Sequence, residues 1–565
     1  MITEMKTASF KQINDEKWQE AAVKSLRGLP FEKLITKTLE GIEIQPLYTK
    51  QKFDKELEAH DEMLNAVRFG MESPDWTIAQ RSYASDSKQF LDEVKESLEK
   101  GNEAIVYDGR QPFSWEEADL KELSELAMNH PIYAFNVDKD DSFAKLFETI
   151  AESDRKKVKG AVTGSVALPE GYHLIRKAYA DTIPLHEKGA DIVTELAVSL
   201  AKAAEEAVHY DTFTAFSNQF FVRFAIDTHF FFEIAKLRAF RVLWQTLAKA
   251  YGHEKRARVP IISETSLRTY SKLDPYVNLL RAGNEAFSAV LGGTDVLTVH
   301  PHNVLGEVTP ASNRYARNIQ LVIKEETHVQ YVLDPSGGSY FIDTLTNEMV
   351  TEAWKLFQDI EAQGGYTAYA SSGALDEKLE TLYKERLDQV GHRKKSLVGT
   401  NNYADLSTPI EASEETLHVE GRLSEPYENL RSSFEKSQPK TMLLTFGELK
   451  DFKPRADFVT GFLAAGGIKA EQSPAFRTVQ EGREWIRNNH FDYGIICVSP
   501  EETEKVLDEL IEDFPDEKWI DVAGKYDEQA EKWQRAGVSD FIFQGQDQLG
   551  KLKGLQARWE EVNHR

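Results

Sequence analysis

From Trp76 to His300 the chain alternates short β-prone runs with amphipathic helical stretches, and this repeat constrains the fold more than any single residue does. The runs are Trp76–Tyr83, Ala104–Tyr107, Ile132–Asn136, Gly160–Gly164, Arg176–Asp181, Val222–Asp227, Val259–Thr265 and Val296–His300. Between most of them apolar residues recur at helical spacing, as in Asp86–Leu98, Trp115–Ala127, Phe143–Ser153, Asp191–His209 and Phe230–Tyr251. Strands joined by helix-length crossovers run parallel, and eight such units are what a (β/α)8 TIM barrel needs. The repeat is weakest between Gly164 and Arg176, which leaves little room for a helix.

A second alternation begins at Thr441. Its strands read Met442–Phe446, Ile468–Glu471, Tyr493–Val498, Trp519–Val522 and Asp540–Phe543, with a last helix over Gln548–Val562. Five βα units indicate a doubly wound, flavodoxin-like α/β domain. In such a sheet the loop after the first strand meets the ligand. Here it offers Glu448, Lys450, Asp451 and Lys453, and neither histidine nor cysteine.

The expected organisation is a helical arm over residues 1–37, the barrel over 38–373, a linker over 374–439 and the second domain over 440–565. In the arm, Trp18, Ala22, Val23 and Leu26 share a helical face, and a charged helix follows around Lys55 to Val67. Arg393–Lys395, Pro409, Glu411–Glu415 and Pro426 give the linker a composition suited to wrapping over surfaces. The long helix over Leu345–Gln363 should stop at Gly364-Gly365 in a left-handed cap.

A net charge of −25 disfavours nucleic acid and anionic membranes as partners. The single cysteine, Cys497, lies in an apolar run and reads as core; it excludes an intramolecular disulfide and fits a reducing compartment. No stretch approaches membrane-spanning length and the N-terminus lacks a signal-peptide pattern, so a cytoplasmic protein is expected.

Barrel chemistry gathers at the C-terminal ends of the strands, where Thr163, Asp181, Asp227, Glu264, Thr265, His300 and His302 fall. Each can equally be a capping group. The spacing of His300 and His302 allows two imidazoles on one side of a strand, but no carboxylate or third histidine is near in sequence, so no metal is expected.

Several stretches resemble the adenosylcobalamin-dependent acyl-CoA mutases, in the same order along the chain. They are Glu40–Ile42 with Pro46–Thr49, the helix Phe232–Trp244, Gly292–Asp295, and Arg314 through Asp334-Pro-Ser-Gly-Gly-Ser-Tyr340. The resemblance is closest to the non-catalytic small chains of the methylmalonyl-CoA mutase branch. It implies a heterodimer with a catalytic large subunit, adenosylcobalamin and acyl-CoA held by that partner, and interconversion of methylmalonyl-CoA and succinyl-CoA.

The departures from the family pattern carry the functional expectation. Cobalamin-binding members have Asp-x-His-x-x-Gly after the first strand of the last domain; laid on it, this chain has Leu449, Asp451 and Pro454. Val498–Pro500, Ala523–Lys525 and Phe543–Asp547 put bulk or charge where the family keeps small residues. Catalytic members have Gly-Tyr-His before a Glu-Ala-Gly-Ala helix start. Here Thr182-Ile183-Pro184 precedes Glu187–Ala190, so Pro184 stands at the histidine, with His186 two residues on as the one nearby imidazole. The resemblance therefore implies no catalytic, cofactor-binding or metal residues of this chain's own. A mutase acting alone and a chaperone-like relative stay open as alternatives.

Overall fold

A computed structural model describes residues 14–50, 53, 60–139, 141–253, 257–407, 410, 416–513 and 518–563. A short antiparallel pair, β1 (Thr36–Lys37) and β2 (Glu43–Ile44), precedes the main body. There follow β3 (Thr77–Ile78), β4 (Ile105–Asp108), β5 (Ile132–Phe135), β6 (Lys159–Val162), β7 (Leu174–Arg176), β8 (Ala178–Asp181), β9 (Phe220–Ile226), β10 (Ile261–Thr265) and β11 (Val296–Thr298). All lie within or beside the runs read from sequence.

These strands form two parallel sheets, ordered β3-β11-β10-β9-β8 and β4-β5-β6-β7. Only Lys177 separates β7 from β8, and the first half of this run pairs with β6, the second with β9. A single parallel bridge, Arg81 to Val106, joins the chain just past β3 to β4. No continuous ladder closes the two sheets into one among the described residues. The short connection from β6 to β7 has no helix.

Helices cover the strands where the spacing predicts them, except that the stretch Phe143–Ser153 breaks into the short helices Asp141–Ala144, Leu146–Thr149 and Glu152–Arg155. The helix Phe230–Ala250 lays Phe240 and Trp244 into the core, with Trp244 stacked on Phe220 at 5.0 Å. It also explains why the family-like motifs keep company. Arg238 Nη2 donates to Asp343 at 2.6 Å while its Nε faces Asp334 at 3.3 Å, fixing the Asp334–Tyr340 turn. Arg241 donates to the carbonyls of Gly70, Val259 and Gly293 and to Asp295 at 2.7 Å, fixing the Gly292–Asp295 corner. Within the turn, Gly338 has φ +93°, which a side chain would strain. These motifs hold the scaffold.

The segment read as a linker is more structured than its composition suggests. It contains the helices Ala374–Gly391 and Glu425–Lys436, and Tyr427, Leu430 and Phe434 enter one core with the last domain. Several of its charges are buried with them, Arg422 pairing with Glu428 at 2.7 Å and Arg386 donating to the carbonyls of Gly189 and Ala190. Glu411–Glu415 and Pro409 lie outside the described residues, as do residues 1–13 of the arm and Lys55–Ala59 of the charged segment, whose helix is described from His60 to Gly70. The arm's helix Asp15–Ser25, capped by Asn14, has no buried residue. The long helix Tyr340–Ala362 ends as expected, with Gly364 left-handed at φ +101°.

The last domain has β12 (Thr441–Thr445), β13 (Ala470–Gln472), β14 (Tyr493–Cys497), β15 (Trp519–Ala523) and β16 (Asp540–Ile542), all parallel in the order β13-β12-β14-β15-β16. Cys497 is buried in its core, which pushes the thiol up to about 12. Among the described residues no helix is long and apolar enough to cross a membrane.

Candidate functional site

The C-terminal ends of the strands bring Asp181, Glu264 and His300 together, and join to them residues that a search for acids, hydroxyls and histidines passes over. Arg223, set within the apolar strand β9, donates to Asp181 at 2.5 Å and to Glu264 at 3.0 Å and lies over the Phe135 ring. Arg110 reaches Asp108 at 2.7 Å, Glu187 at 3.3 Å and Glu264 at 3.7 Å, and Arg81 meets Asp108 at 2.9 Å. His300 Nδ1 shares a 2.6 Å hydrogen bond with the Tyr83 hydroxyl, and its Nε2 stands 3.5 Å from Glu264. Burial alone would raise the Glu264 carboxyl, but His300, Arg223 and Arg110 outweigh it and hold the group far below the usual range. Asp108 is held low in the same way, against burial, by Arg81 and Arg110.

Glu187 is the exception. Burial, helped by Glu264 and Asp181 against Arg110, pushes its carboxyl up to about 7. The rest is an ion-paired plug in which each acid already has an arginine.

The remaining candidates serve the scaffold. Thr163 Oγ1 accepts the Asn136 N–H at 2.8 Å, and Thr265 Oγ1 accepts the His300 N–H at 2.9 Å. His302 stacks on Tyr276 at 5.1 Å, away from the Tyr83 contact of His300, so the two imidazoles do not converge. No cluster of three metal-ligating side chains occurs among the described residues. Asp227 belongs elsewhere, paired with Arg268 at 3.0 Å. Burial would raise it, but Lys395 and Arg268 keep it ionised.

Pro184 sits in the first turn of the short helix Ile183–Glu187, a position that suits proline's missing N–H. His186 is 1% exposed and fully engaged, with Nδ1 2.7 Å from Glu195 and Nε2 2.7 Å from the Ser266 hydroxyl. The connectivity is that of a nucleophile, base and acid, but Ser266 is also 1% exposed and caps the Arg268 N–H. Burial and the neighbouring Arg268 push the imidazole down to about 4, Glu195 opposing.

The folded chain thus keeps His186 neutral where an unfolded one protonates it below 6.5. Stability should fall as pH drops from 6.5 towards 4, by about 2 kcal/mol from this group at pH 5. Urea midpoints measured against pH should show that slope, and His186→Gln should flatten it.

At the other candidate site, a crevice of about 630 Å³ opens where the strand order reverses, between β12 and β14. Gly447, Lys450, Asp451, Arg477, Ser499 and Lys505 line it. Asp451 is the third residue of the helix Leu449–Ala464 and is spent on its start: the Glu448 N–H donates to Asp451 Oδ2 at 2.9 Å, in a reciprocal box with Glu448. Leu449 is 61% exposed, and Pro454 lies inside the helix. Across the neighbouring strand ends, Arg455 and the Tyr526 hydroxyl both meet Thr503, at 2.9 and 2.8 Å, and Tyr526 packs on Trp533.

A family profile described as methylmalonyl-CoA mutase matches residues 176–487, more than half of the chain. The chain belongs to the methylmalonyl-CoA mutase family. Among curated relatives, a probable methylmalonyl-CoA mutase small subunit of Mycobacterium bovis is 34% identical over 312 residues, covering 52% of this chain and 50% of the relative. Methylmalonyl-CoA mutase small subunits of Porphyromonas gingivalis and Propionibacterium freudenreichii subsp. shermanii are each 33% identical, over 57% and 51% of this chain and 56% and 48% of their own. The chain thus spans about half the length of the relatives it matches. The family profile begins at Arg176 and takes in β8 to β13, so the charged plug, the Pro184 turn and the crevice all draw residues from it.

Methylmalonyl-CoA mutases are generally adenosylcobalamin-dependent, and neither position of this chain suits that cofactor. A carboxylate hydrogen-bonded at a helix start does not replace a neutral imidazole ligand, and leucine has no oxygen to accept that imidazole's other N–H.

Proposed function

We propose that this chain is a non-catalytic small subunit that pairs with a catalytic chain of the same fold, the pair interconverting methylmalonyl-CoA and succinyl-CoA. Adenosylcobalamin and the acyl-CoA belong, in this reading, to the partner. The carrying observation is that at both places where the chemistry would sit the polar groups are engaged with this chain's own residues: the arginine-paired acids with Pro184 at one, the Glu448–Asp451 box at the other. The names of the relatives support a subunit, and so a partner.

The reading takes β3 to β11 as one (β/α)8 barrel over residues 38–373. Support comes from the Arg81–Val106 bridge and from the split pairing of β7 and β8, which, taken as one strand, has β6 on one side and β9 on the other. It takes residues 440–565 as flavodoxin-like, since the local order is 2-1-3-4-5. The arm over residues 1–37 is assigned to the partner's surface, a role that an unburied helix with Val23 at 37% exposure supports. A cytoplasmic setting suits the buried, unpaired Cys497. Turnover of the chain alone, and mixed with a catalytic chain of the family, tests the proposal: activity is expected only with the partner present.

A further inference from the structure

Between the helices Ser87–Glu99 and Pro310–Thr327 lies a cavity of about 300 Å³, whose walls include Gln80, Glu93, Glu96, Lys100, Asn313 and the pair Arg314 and Arg317. Its charges are unevenly matched. Glu96 is taken by Lys100 at 2.5 Å, and Glu93 accepts from Ser82 at 2.7 Å and from Gln89 at 2.9 Å. Arg314 and Arg317 form no ion pair among the described residues, although Glu96 acts on Arg317 from a distance. Elsewhere inside the chain Arg223, Arg238 and Arg241 each form one.

Arg317 is 6% exposed, yet it donates only to the neutral Gln80 carboxamide, at 2.6 Å, and its Nε has no acceptor. Asn313, 6% exposed on the same wall, has an Oδ1 with no donor. The wall is also the first two turns of an 18-residue helix capped at Thr309, whose positive end faces the same space. A buried guanidinium with an idle N–H, and on the same wall an amide oxygen without a donor, are costly unless something completes them.

We propose that this cavity binds a small anion, its carboxylate or phosphate held by Arg317 and Arg314. The volume suits a molecule of about ten to fifteen heavy atoms.

Isothermal titration of the full chain at constant ionic strength tests this, with citrate and glycerol 3-phosphate as probes and glycerol as the neutral control. Saturable one-to-one binding of at least one anion, and none of glycerol, is expected. Citrate alone would assign a carboxylate ligand, and glycerol 3-phosphate alone a phosphate ester. Arg314 is exposed, so Arg314→Gln should leave the melting midpoint in place while weakening binding about tenfold or more, the usual loss of one charge-assisted hydrogen bond. Absence of saturable binding by either anion, or unchanged affinity in Arg314→Gln, would overturn the proposal. So would full displacement by chloride at equal ionic strength.

Discussion

Replacing Arg223 by methionine should destabilise the chain by about 3–5 kcal/mol, the cost of leaving buried charges unpaired. The side chain is 2% exposed, and its guanidinium neutralises Asp181 and Glu264 from the middle of an otherwise apolar strand. Methionine fills the volume, so the loss reports the charges rather than a cavity. Adding Asp181→Asn and Glu264→Gln should recover much of it, because the acids then no longer need a cation. Thermal unfolding followed by circular dichroism checks both. A single-variant loss below about 1 kcal/mol would mean that water or Arg110 already satisfies those acids.

The arginines were the least legible part of the sequence. The strands were readable because apolar runs at regular intervals have few other uses, and Arg223 stood in plain sight inside Phe-Phe-Val-Arg-Phe-Ala-Ile. A charged residue within a buried strand predicts a buried counter-charge, but its identity depends on register: Asp181 lies 42 residues away and Glu264 lies 41. The candidates that proved scaffold, Thr163 and Thr265, cap neighbouring strands through backbone N–H groups, which side-chain type alone does not reveal. In the sequence His186 is the one imidazole near the Pro184 position. The chain builds a helix from Ile183 to Glu187 that turns it towards Glu195 and Ser266. The charges and prolines of residues 374–439 suggest a segment that wraps over surfaces, yet Tyr427, Leu430 and Phe434 at helical spacing suffice to bury one face.

Asp451→His should not give cobalamin binding. A histidine there would leave Leu449 in place of the carboxylate that orients the imidazole, and would break the helix-start box with Glu448, at a cost of about 1 kcal/mol. Pro454 still withholds a backbone N–H, and Arg455, Thr503 and Tyr526 still interlock across the adjacent strand ends. After incubation with adenosylcobalamin and desalting, the wild-type chain and the variant should both show no retained corrin absorbance. Tight retention by the single variant would mean that the crevice of about 630 Å³ needs only a ligand to work as a cofactor site.

The central claim is that this chain supports catalysis without performing it, and a turnover assay reaches it most directly. Purified chain supplied with adenosylcobalamin and methylmalonyl-CoA should form no succinyl-CoA, whereas the same chain mixed with a catalytic large subunit of the family should restore or raise that subunit's rate. Cofactor-dependent turnover by this chain alone would contradict the account.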